Sequence, residues 1–200
     1  MIPEAVIASA NEGKVKEIRH LASAHISQLF TLKDLDIELP DGLEAFNTYQ
    51  QNAMAKASYV FERTCLPVLA DDSGLEVAFL KGGPGVKSAR YAPEGTEYAN
   101  RKLLLKTINH APKTLRKATF VCVLCWLNKD GIHYFEAKSE GIILEKEIGE
   151  HGFGYDPVFY DENLQKTYAQ LSFEEKLRIS HRGKALKTWI KYLQHTEGGT

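Results

Sequence analysis

Two adjacent carboxylates at the end of an apolar run constrain this sequence more than any other feature. The run Pro67-Val68-Leu69-Ala70 leads directly into Asp71-Asp72, and Ser73-Gly74 follows. An apolar run closed by turn residues is typical of a buried strand, so we expect both acids where that strand emerges. Neighbouring like charges repel, and paired acids suit a hard cation such as Mg²⁺, which also binds phosphates. The pair therefore indicates either a metal site or two solvated loop acids.

Composition limits the classes of protein that remain. At 200 residues, 44% hydrophobic and 26% charged, the chain fits a globular protein of one domain or two closely joined lobes. No apolar run approaches the roughly 20 residues that cross a bilayer, and the start lacks a signal-peptide pattern, so we expect a cytoplasmic protein without membrane contact. A net charge of −1 predicts no nucleic-acid partner, and a polyphosphate would need a local cluster of basic residues.

Cys122 and Cys125 form a C-x-x-C pattern that could indicate zinc or redox chemistry. They lie, however, within the apolar run 120–127, which is typical of a strand. A spacing of three on a strand places the two thiols on opposite faces, so we expect buried structural cysteines.

Alternating strands and helices, followed by a long hairpin, predict an α/β fold with a mixed sheet. The acid-bearing strand should turn at Ser73-Gly74 and return over 75–80, and the last helix should begin with a Ser172/Glu175 capping box. The other predicted elements are strands over 6–9, 118–127 and 132–144, one or two strands in the extended segment 30–39, helices over 14–24, 46–63, 94–109 and 172–193 (with an interruption at 180–183), and a flexible tail, 197–200.

The candidate phosphate site is Ser9-x-Asn11-x-x-Lys14, on a strand-to-helix turn where free backbone N–H groups and an ammonium favour an anion. The same pattern also fits an ordinary capped helix. A second candidate group joins Glu44 to Asn52 and Lys56, which share a helix face at a spacing of four. Its alternative is a solvated polar surface.

Three further patterns suit a nucleotide. The glycine cluster 82–85 precedes Arg90 and would let backbone approach a ligand, and Gly152-Phe153-Gly154-Tyr155-Asp156 places rings on a flexible loop where a base could stack. The third pattern is Lys176 with Ser180-His181-Arg182, in which His181 and Arg182 could donate hydrogen bonds to a carbonyl-bearing base. Each pattern has an ordinary structural alternative in a turn or a basic helix surface.

Six ordered motifs give the chain, from about Val6 to Leu193, a clear family resemblance. It resembles the inosine/xanthosine triphosphate pyrophosphatases (dITP/XTP pyrophosphatases), which hydrolyse non-standard purine nucleotides. The resemblance implies an elongated mixed β-sheet with flanking helices, two lobes around a central cleft, a homodimer, and Mg²⁺-dependent release of pyrophosphate. The motifs are Ser9-Ala10-Asn11-Glu12-Gly13-Lys14, Asn52-Ala53-x-x-Lys56-Ala57, Ala70-Asp71-Asp72-Ser73-Gly74-Leu75, Gly83-x-Gly85-x-x-Ser88-Ala89-Arg90-Tyr91, Gly152-Phe153-Gly154-Tyr155-Asp156-Pro157 and Ser180-His181-Arg182-Gly183-x-Ala185.

The resemblance also implies roles for individual residues. Asp72 would be the proton acceptor, and Glu44 and Asp72, supported by Asp71, would hold the metal. Only Glu44 stands where the family more often has paired glutamates. The remaining substrate residues would be Ser9, Ala10, Asn11, Glu12, Gly13, Lys14, Ser73 and Lys176 for phosphate or sugar, Lys56 for the charge of the leaving group, Arg90 on the glycine-rich turn, and Phe153, Gly154, Tyr155, Asp156, His181 and Arg182 for the base.

Donors aimed at a 6-keto oxygen would reject adenine, because its 6-amino group would leave those buried donors unpaired. Two other functions remain open at this point. One is a pyrophosphatase of the septum-formation-inhibitor type acting on pyrimidine or modified nucleotides, and the other is a nucleotide-binding regulatory module without catalysis.

Overall fold

The computed structural model describes residues 2–197, and it divides into two compact units. The first contains the chain up to Asp72, Cys122–Ala137, and the chain from Arg182 onwards. The second contains Ser73–Val121 and Lys138–His181. Of the predicted tail 197–200, residue 197 ends the last helix, and 198–200 lie outside the described residues.

The first unit opens with strands linked by helices. Strand β1 (Ile2–Ala8) leads through α1 (Glu12–Ala22) to β2 (Ile26–Thr31), and α2 (Tyr49–Thr64) leads to β3 (Val68–Val77). Strand β1 pairs in parallel with both β2 and β3, as strand–helix–strand connections require. The predicted first strand and first two helices are confirmed within four residues at each end. Of the extended segment 30–39, where one or two strands were predicted, only 30–31 belong to a strand, and a short 3₁₀ turn follows.

Apolar residues at alternating positions along the strands form two separate cores in the first unit. Ile7 and Leu69 pack with α1 and with the last helix, α5 (His181–Glu197), where Trp126 and Trp189 have ring centres 5.3 Å apart. Val6 and Ala70 pack with α2 instead. Because side chains alternate along a strand, these two cores cover opposite faces of the sheet.

The second unit is mainly antiparallel. It contains the end of β3, the short β4 (Pro84–Gly85), α3 (Glu97–Thr107) and α4 (Phe173–Ile179). It also takes parts of the two long strands β5 (Lys117–Asn128) and β6 (Gly131–Ile143), which are followed by β7 (Phe159–Asp161) and β8 (Lys166–Thr167). Antiparallel pairing joins β3 to β4, β6 to β7 and β7 to β8.

Strand pairing follows the order β2-β1-β3-β5-β6-β7-β8, with β4 paired to β3. Parallel and antiparallel pairs occur together, so the predicted α/β class with a mixed sheet and flanking helices is confirmed. The predicted hairpin is also confirmed as β5 and β6. The predicted interruption of the last helix is confirmed at Ser180, which separates α4 from α5.

The predicted turn at Ser73-Gly74 is wrong. Strand β3 runs without interruption from Val68 to Val77, so 75–77 continue the same strand and 78–80 form a 3₁₀ turn. A Cβ atom at Gly74 would lie 2.2 Å from the carbonyl oxygen of Gly85 on β4. Gly74 is therefore needed for the close approach of a neighbouring backbone, which a sequence pattern cannot distinguish from a turn.

Among residues 2–197, no helix combines the length and the apolar character needed to cross a membrane.

Candidate functional site

The turn between β1 and α1 is a capped helix start. The Asn11 side chain accepts a hydrogen bond from the backbone N–H of Lys14 at 2.9 Å, and Ser9 Oγ accepts one from Asn11 at 3.3 Å. Ser9 is buried, whereas Ala10 and Glu12 are exposed. The cap satisfies one of the free N–H groups of the helix.

The Asp71 side chain is completely buried among charged and polar partners of the first unit. Its Oδ2 accepts hydrogen bonds from Arg182 Nε at 2.9 Å and from the Cys122 thiol at 3.1 Å, and its Oδ1 pairs with the Lys14 ammonium. Arg182 Nη1 also donates to Glu17 Oε2 at 2.7 Å. Two carboxylates and two cations therefore balance one another, which makes their burial tolerable.

These neighbours determine the ionisation of Asp71. Burial alone raises the pKa of Asp71, but the charges of Arg182, Lys14 and Lys56 outweigh that effect and hold the pKa well below its usual range. The carboxylate is therefore ionised and acts as an internal counter-ion. Burial and the neighbouring Asp71 carboxylate raise the pKa of the Cys122 thiol, so it stays protonated and can donate.

Asp72 belongs to a different group of side chains. Asn52 Nδ2 donates to Asp72 Oδ2 at 3.0 Å, while the Asn52 side-chain oxygen accepts from the backbone N–H of Phe46 at 3.0 Å. The Lys56 ammonium pairs with Glu44 and donates to the backbone carbonyl of Asp71. Helix α2 thus links the segment carrying Glu44 to the strand carrying Asp72.

The pKa of Asp72 is raised above its usual value, mainly because the carboxyl group is buried. The charges of Lys56 and Lys14 and the hydrogen bond from Asn52 lower the pKa, whereas the charge of Glu44 raises it further. The residue is only 6% exposed. A buried carboxyl group with a raised pKa is a candidate proton acceptor.

Consecutive residues of a strand point to opposite faces, and this rule separates the two acids. Asp71 shares its face with Cys122 and Arg182, whereas Asp72 shares its face with Asn52 on α2. The structure therefore does not bring the Asp71 carboxylate together with Asp72 as the sequence pattern suggested, and neither acid depends on a cation to offset repulsion from the other. Within 2–197, no group of three or more His, Cys, Asp or Glu side chains is arranged to hold a metal.

In the second unit the loop 152–156 is organised around the carboxylate of Asp156, whose side chain is 3% exposed. Its Oδ2 accepts from the backbone N–H of Phe153 at 2.8 Å and pairs with the Lys176 ammonium. Lys176 Nζ also lies 4.2 Å from the centre of the Phe153 ring. Phe153 is only partly buried.

The other predicted residues of the second unit have varied surroundings. Tyr155 is buried in the apolar core and its hydroxyl donates to the Ser88 carbonyl at 2.9 Å, so it supports the loop rather than offering a second stacking ring. His181 is buried with its ring stacked on Phe120, the ring centres 4.6 Å apart. Arg90 is exposed and Ser73 is partly buried.

Two of the charged residues described here were absent from the sequence-based set. Glu17 lies three residues after Lys14, on the same face of α1, and that spacing is a signal that could have revealed it. Arg101 on α3 donates to the carbonyl of Gly154 at 2.8 Å. No local pattern connects Arg101 to a loop 53 residues away, so sequence reasoning had no means of finding it.

Fold and site together define a mixed-sheet α/β protein with separate buried groups of acids and lysines around α1, α2 and β3. The Ham1 family model matches residues 5–192, and the chain belongs to the Ham1 family. A protein of Thermus thermophilus named dITP/XTP pyrophosphatase is 45% identical over 93% of this chain and 89% of its own length. A protein of the same name from Thermoanaerobacter pseudethanolicus is 41% identical over 94% and 95%.

Solved structures agree with this assignment. A HAM1 protein from Coxiella burnetii superposes with a TM-score of 0.87 and is 35% identical, covering 97% of this chain and 100% of its own. The Ham1 protein of Staphylococcus aureus gives a TM-score of 0.83 at 37% identity, covering 96% and 99%.

Proposed function

We propose that this protein hydrolyses non-standard purine nucleoside triphosphates (ITP, dITP and XTP) to the monophosphate and pyrophosphate. The observation that carries the proposal is the buried Asp72 carboxyl group, held by Asn52 and flanked by the Lys56–Glu44 pair. The named activity of relatives that are more than 40% identical over nearly the whole chain supports it.

Asp72 is the proposed proton acceptor. Its raised pKa, caused mainly by burial, makes it a stronger base than an exposed aspartate, and Asn52 holds the carboxyl group in one orientation. It accepts a proton from the water that attacks the α-phosphorus, and pyrophosphate leaves. Much of the catalysis then consists of positioning and charge neutralisation, as in other phosphoryl transfers.

The donor set of the first unit fits Mg²⁺. Glu44 and Asp72 supply carboxylate oxygens, and a site with one or two carboxylates, completed by water and substrate phosphate, is the pattern this ion prefers. When bound, Mg²⁺ neutralises phosphate charge and polarises the bonds that break. We assign the metal to Glu44 and Asp72, and we assign Asp71 the role of counter-ion to Lys14 and Arg182.

The other proposed substrate residues fall into groups, one for each part of the nucleotide. The backbone turn from Ser9 to Gly13, with Lys14 and Lys56, suits the phosphates, because it combines a helix start with two ammonium groups. Phe153 offers its ring to the purine, with Gly154, Tyr155 and Asp156 shaping the loop. We further assign Ser73, Arg90 and Lys176 to phosphate or sugar, and His181 and Arg182 to the base.

We also propose that residues 1–196 act as one functional domain, with one or more Mg²⁺ ions per subunit, and that the protein works as a homodimer in the cytoplasm. The family match over residues 5–192 supports the single domain. The three free cysteines suit a reducing compartment. The family resemblance alone supports the homodimer.

The decisive experiment measures pyrophosphate release from ITP, dITP, XTP, dGTP, ATP and dTTP, with Mg²⁺ and with EDTA. We expect Mg²⁺-dependent release from ITP, dITP and XTP, and little from the others. Release from dTTP would contradict the proposed base specificity while retaining the reaction. Release from none of them would contradict the proposed activity.

A further inference from the structure

Arg101 makes two directed hydrogen bonds within the second unit. Its Nη1 donates to the carbonyl oxygen of Gly154 at 2.8 Å, and its Nε donates to Glu147 Oε2 at 3.0 Å. The Arg101 side chain is 14% exposed and that of Glu147 is 26% exposed. A partly desolvated guanidinium between a carboxylate and a carbonyl is held in a fixed direction, because its donors form a rigid planar fork.

The bond to Gly154 fixes the loop immediately after Phe153. Gly152 and Gly154 both have positive φ angles, of 76° and 60°, so this stretch has a conformation that few residues adopt. Asp156 holds the N–H of Phe153 at 2.8 Å, and Arg101 holds the carbonyl of the next residue. The backbone that carries the Phe153 ring is therefore anchored on both sides.

We propose that Arg101, oriented by Glu147, is a positioning residue that sets the affinity for the purine base by fixing the Phe153 loop. This inference rests on the proposed function, in which Phe153 stacks on the base. Arg101 acts through the loop and makes no contact with the reacting phosphates. Its loss therefore weakens nucleotide binding and leaves the chemical step unchanged.

The neighbouring residue supplies a matched control. Lys102 Nζ lies 3.7 Å from Glu147 Oε1, so it pairs with the same carboxylate. Its side chain is 54% exposed and its ammonium lies 5.2 Å from the ring centre of Tyr98, which is itself exposed. Lys102→Met thus removes a cation from the same carboxylate and the same helix without removing the bond to the loop.

The experiment compares wild type with Arg101→Met, Arg101→Lys and Lys102→Met, using dITP turnover and calorimetric binding of IMP without metal. We expect Arg101→Met to raise KM and the Kd of IMP by about tenfold, the typical effect of one charge-assisted hydrogen bond, with kcat within about twofold. Arg101→Lys should restore part of the affinity, because an ammonium reaches one of the two acceptors. Lys102→Met should match wild type.

A purely structural role would give a different result. If Arg101→Met lowers kcat through a smaller active fraction and leaves KM and the Kd of IMP unchanged, the proposal is overturned. If Arg101→Met fails to fold, Glu147→Gln replaces it, and an unchanged KM and Kd in that variant overturns the proposal. Wild-type protein that binds IMP but releases no pyrophosphate from dITP would instead contradict the proposed function.

Discussion

Arg182 Nε lies 2.9 Å from Asp71 Oδ2, although the two residues are 111 positions apart in the sequence. The contact ties the start of α5 to β3, and the bond from Arg182 to Glu17 adds α1. Lys14 completes the set through its pairing with Asp71. One buried group of four charges therefore connects three elements of the first unit.

Asp71→Asn should strongly destabilise the protein. The substitution leaves the buried Arg182 and the partly buried Lys14 with one carboxylate, Glu17, which pairs with Arg182. An uncompensated buried charge costs about 3–5 kcal/mol. Urea unfolding at pH 7 measures the loss of unfolding free energy. Asp41→Asn, at an exposed position, is the control and should stay within about 0.5 kcal/mol of wild type.

The same group predicts how stability depends on pH. The folded-state pKa of Asp71 is held below the unfolded value of about 3.9, so its contribution is complete above about pH 4. The contribution is lost as pH falls through the lower, folded-state pKa. The unfolding free energy of wild type should therefore decline in acid more steeply than that of Asp71→Asn. Parallel curves for the two proteins would show that Asp71 does not carry this dependence.

Asp72→Asn should abolish turnover without unfolding the protein. An amide cannot accept the proton, and loss of a general base lowers rates by about 10²–10⁴-fold. Because the raised pKa of Asp72 reflects the cost of burying its charge, a neutral isostere should change the unfolding free energy by less than about 1 kcal/mol. Pyrophosphate release and urea unfolding are the two measurements. Normal turnover by the folded variant would remove Asp72 from the mechanism.

Glu44→Gln should raise the concentration of Mg²⁺ needed for half-maximal activity by about tenfold or more, because a ligand carboxylate is lost. The measurement is a titration of dITP turnover with Mg²⁺, and activity at saturating Mg²⁺ should partly recover. Glu38→Gln, at an exposed position in the same unit, should show the wild-type requirement. An unchanged requirement in Glu44→Gln would exclude Glu44 as a metal ligand.

Gly152→Ala and Gly154→Ala should differ in their cost, although both glycines have positive φ. A Cβ at Gly152 would lie 2.1 Å from Asp156 Oδ2, whereas a Cβ at Gly154 meets no atom within 4 Å. Gly154→Ala should therefore cost only backbone strain, about 1 kcal/mol, and Gly152→Ala about 3 kcal/mol or more. Chemical denaturation compares the two variants, and equal losses would contradict the role of Asp156 as the organiser of the loop.

Sequence patterns predicted the elements whose signals are local. Asn11 and Ser172 cap their helices as the patterns indicate, because a cap depends only on the next three residues. Thr48, which the sequence placed inside the predicted helix 46–63, instead caps α2. Cys122 and Cys125 lie in different apolar cores, as strand alternation predicts, and both are free thiols.

The sequence did not predict relationships that depend on distant partners. Ser73-Gly74 has the composition of a turn, yet the proximity of Gly85 explains the glycine. Alternation along a strand, which separated the two cysteines, applies equally to Asp71 and Asp72. The turn predicted at Ser73-Gly74 placed both acids at the end of the strand, so the alternation was not applied to them. The role of Arg101 follows from its hydrogen bond to a loop 53 residues away, which no local sequence pattern indicates.

The uninterrupted course of β3 limits where the length of this chain can change. Substitutions along the strand alter one side chain at a time, whereas insertion or deletion of a single codon before Asp71 would reverse the direction of every side chain that follows. Asp72 would then face Arg182, and Asp71 would face Asn52. Viable variation in chain length is therefore expected in the loops that flank the strand, and a library of single-residue insertions within 68–72 should contain no active member.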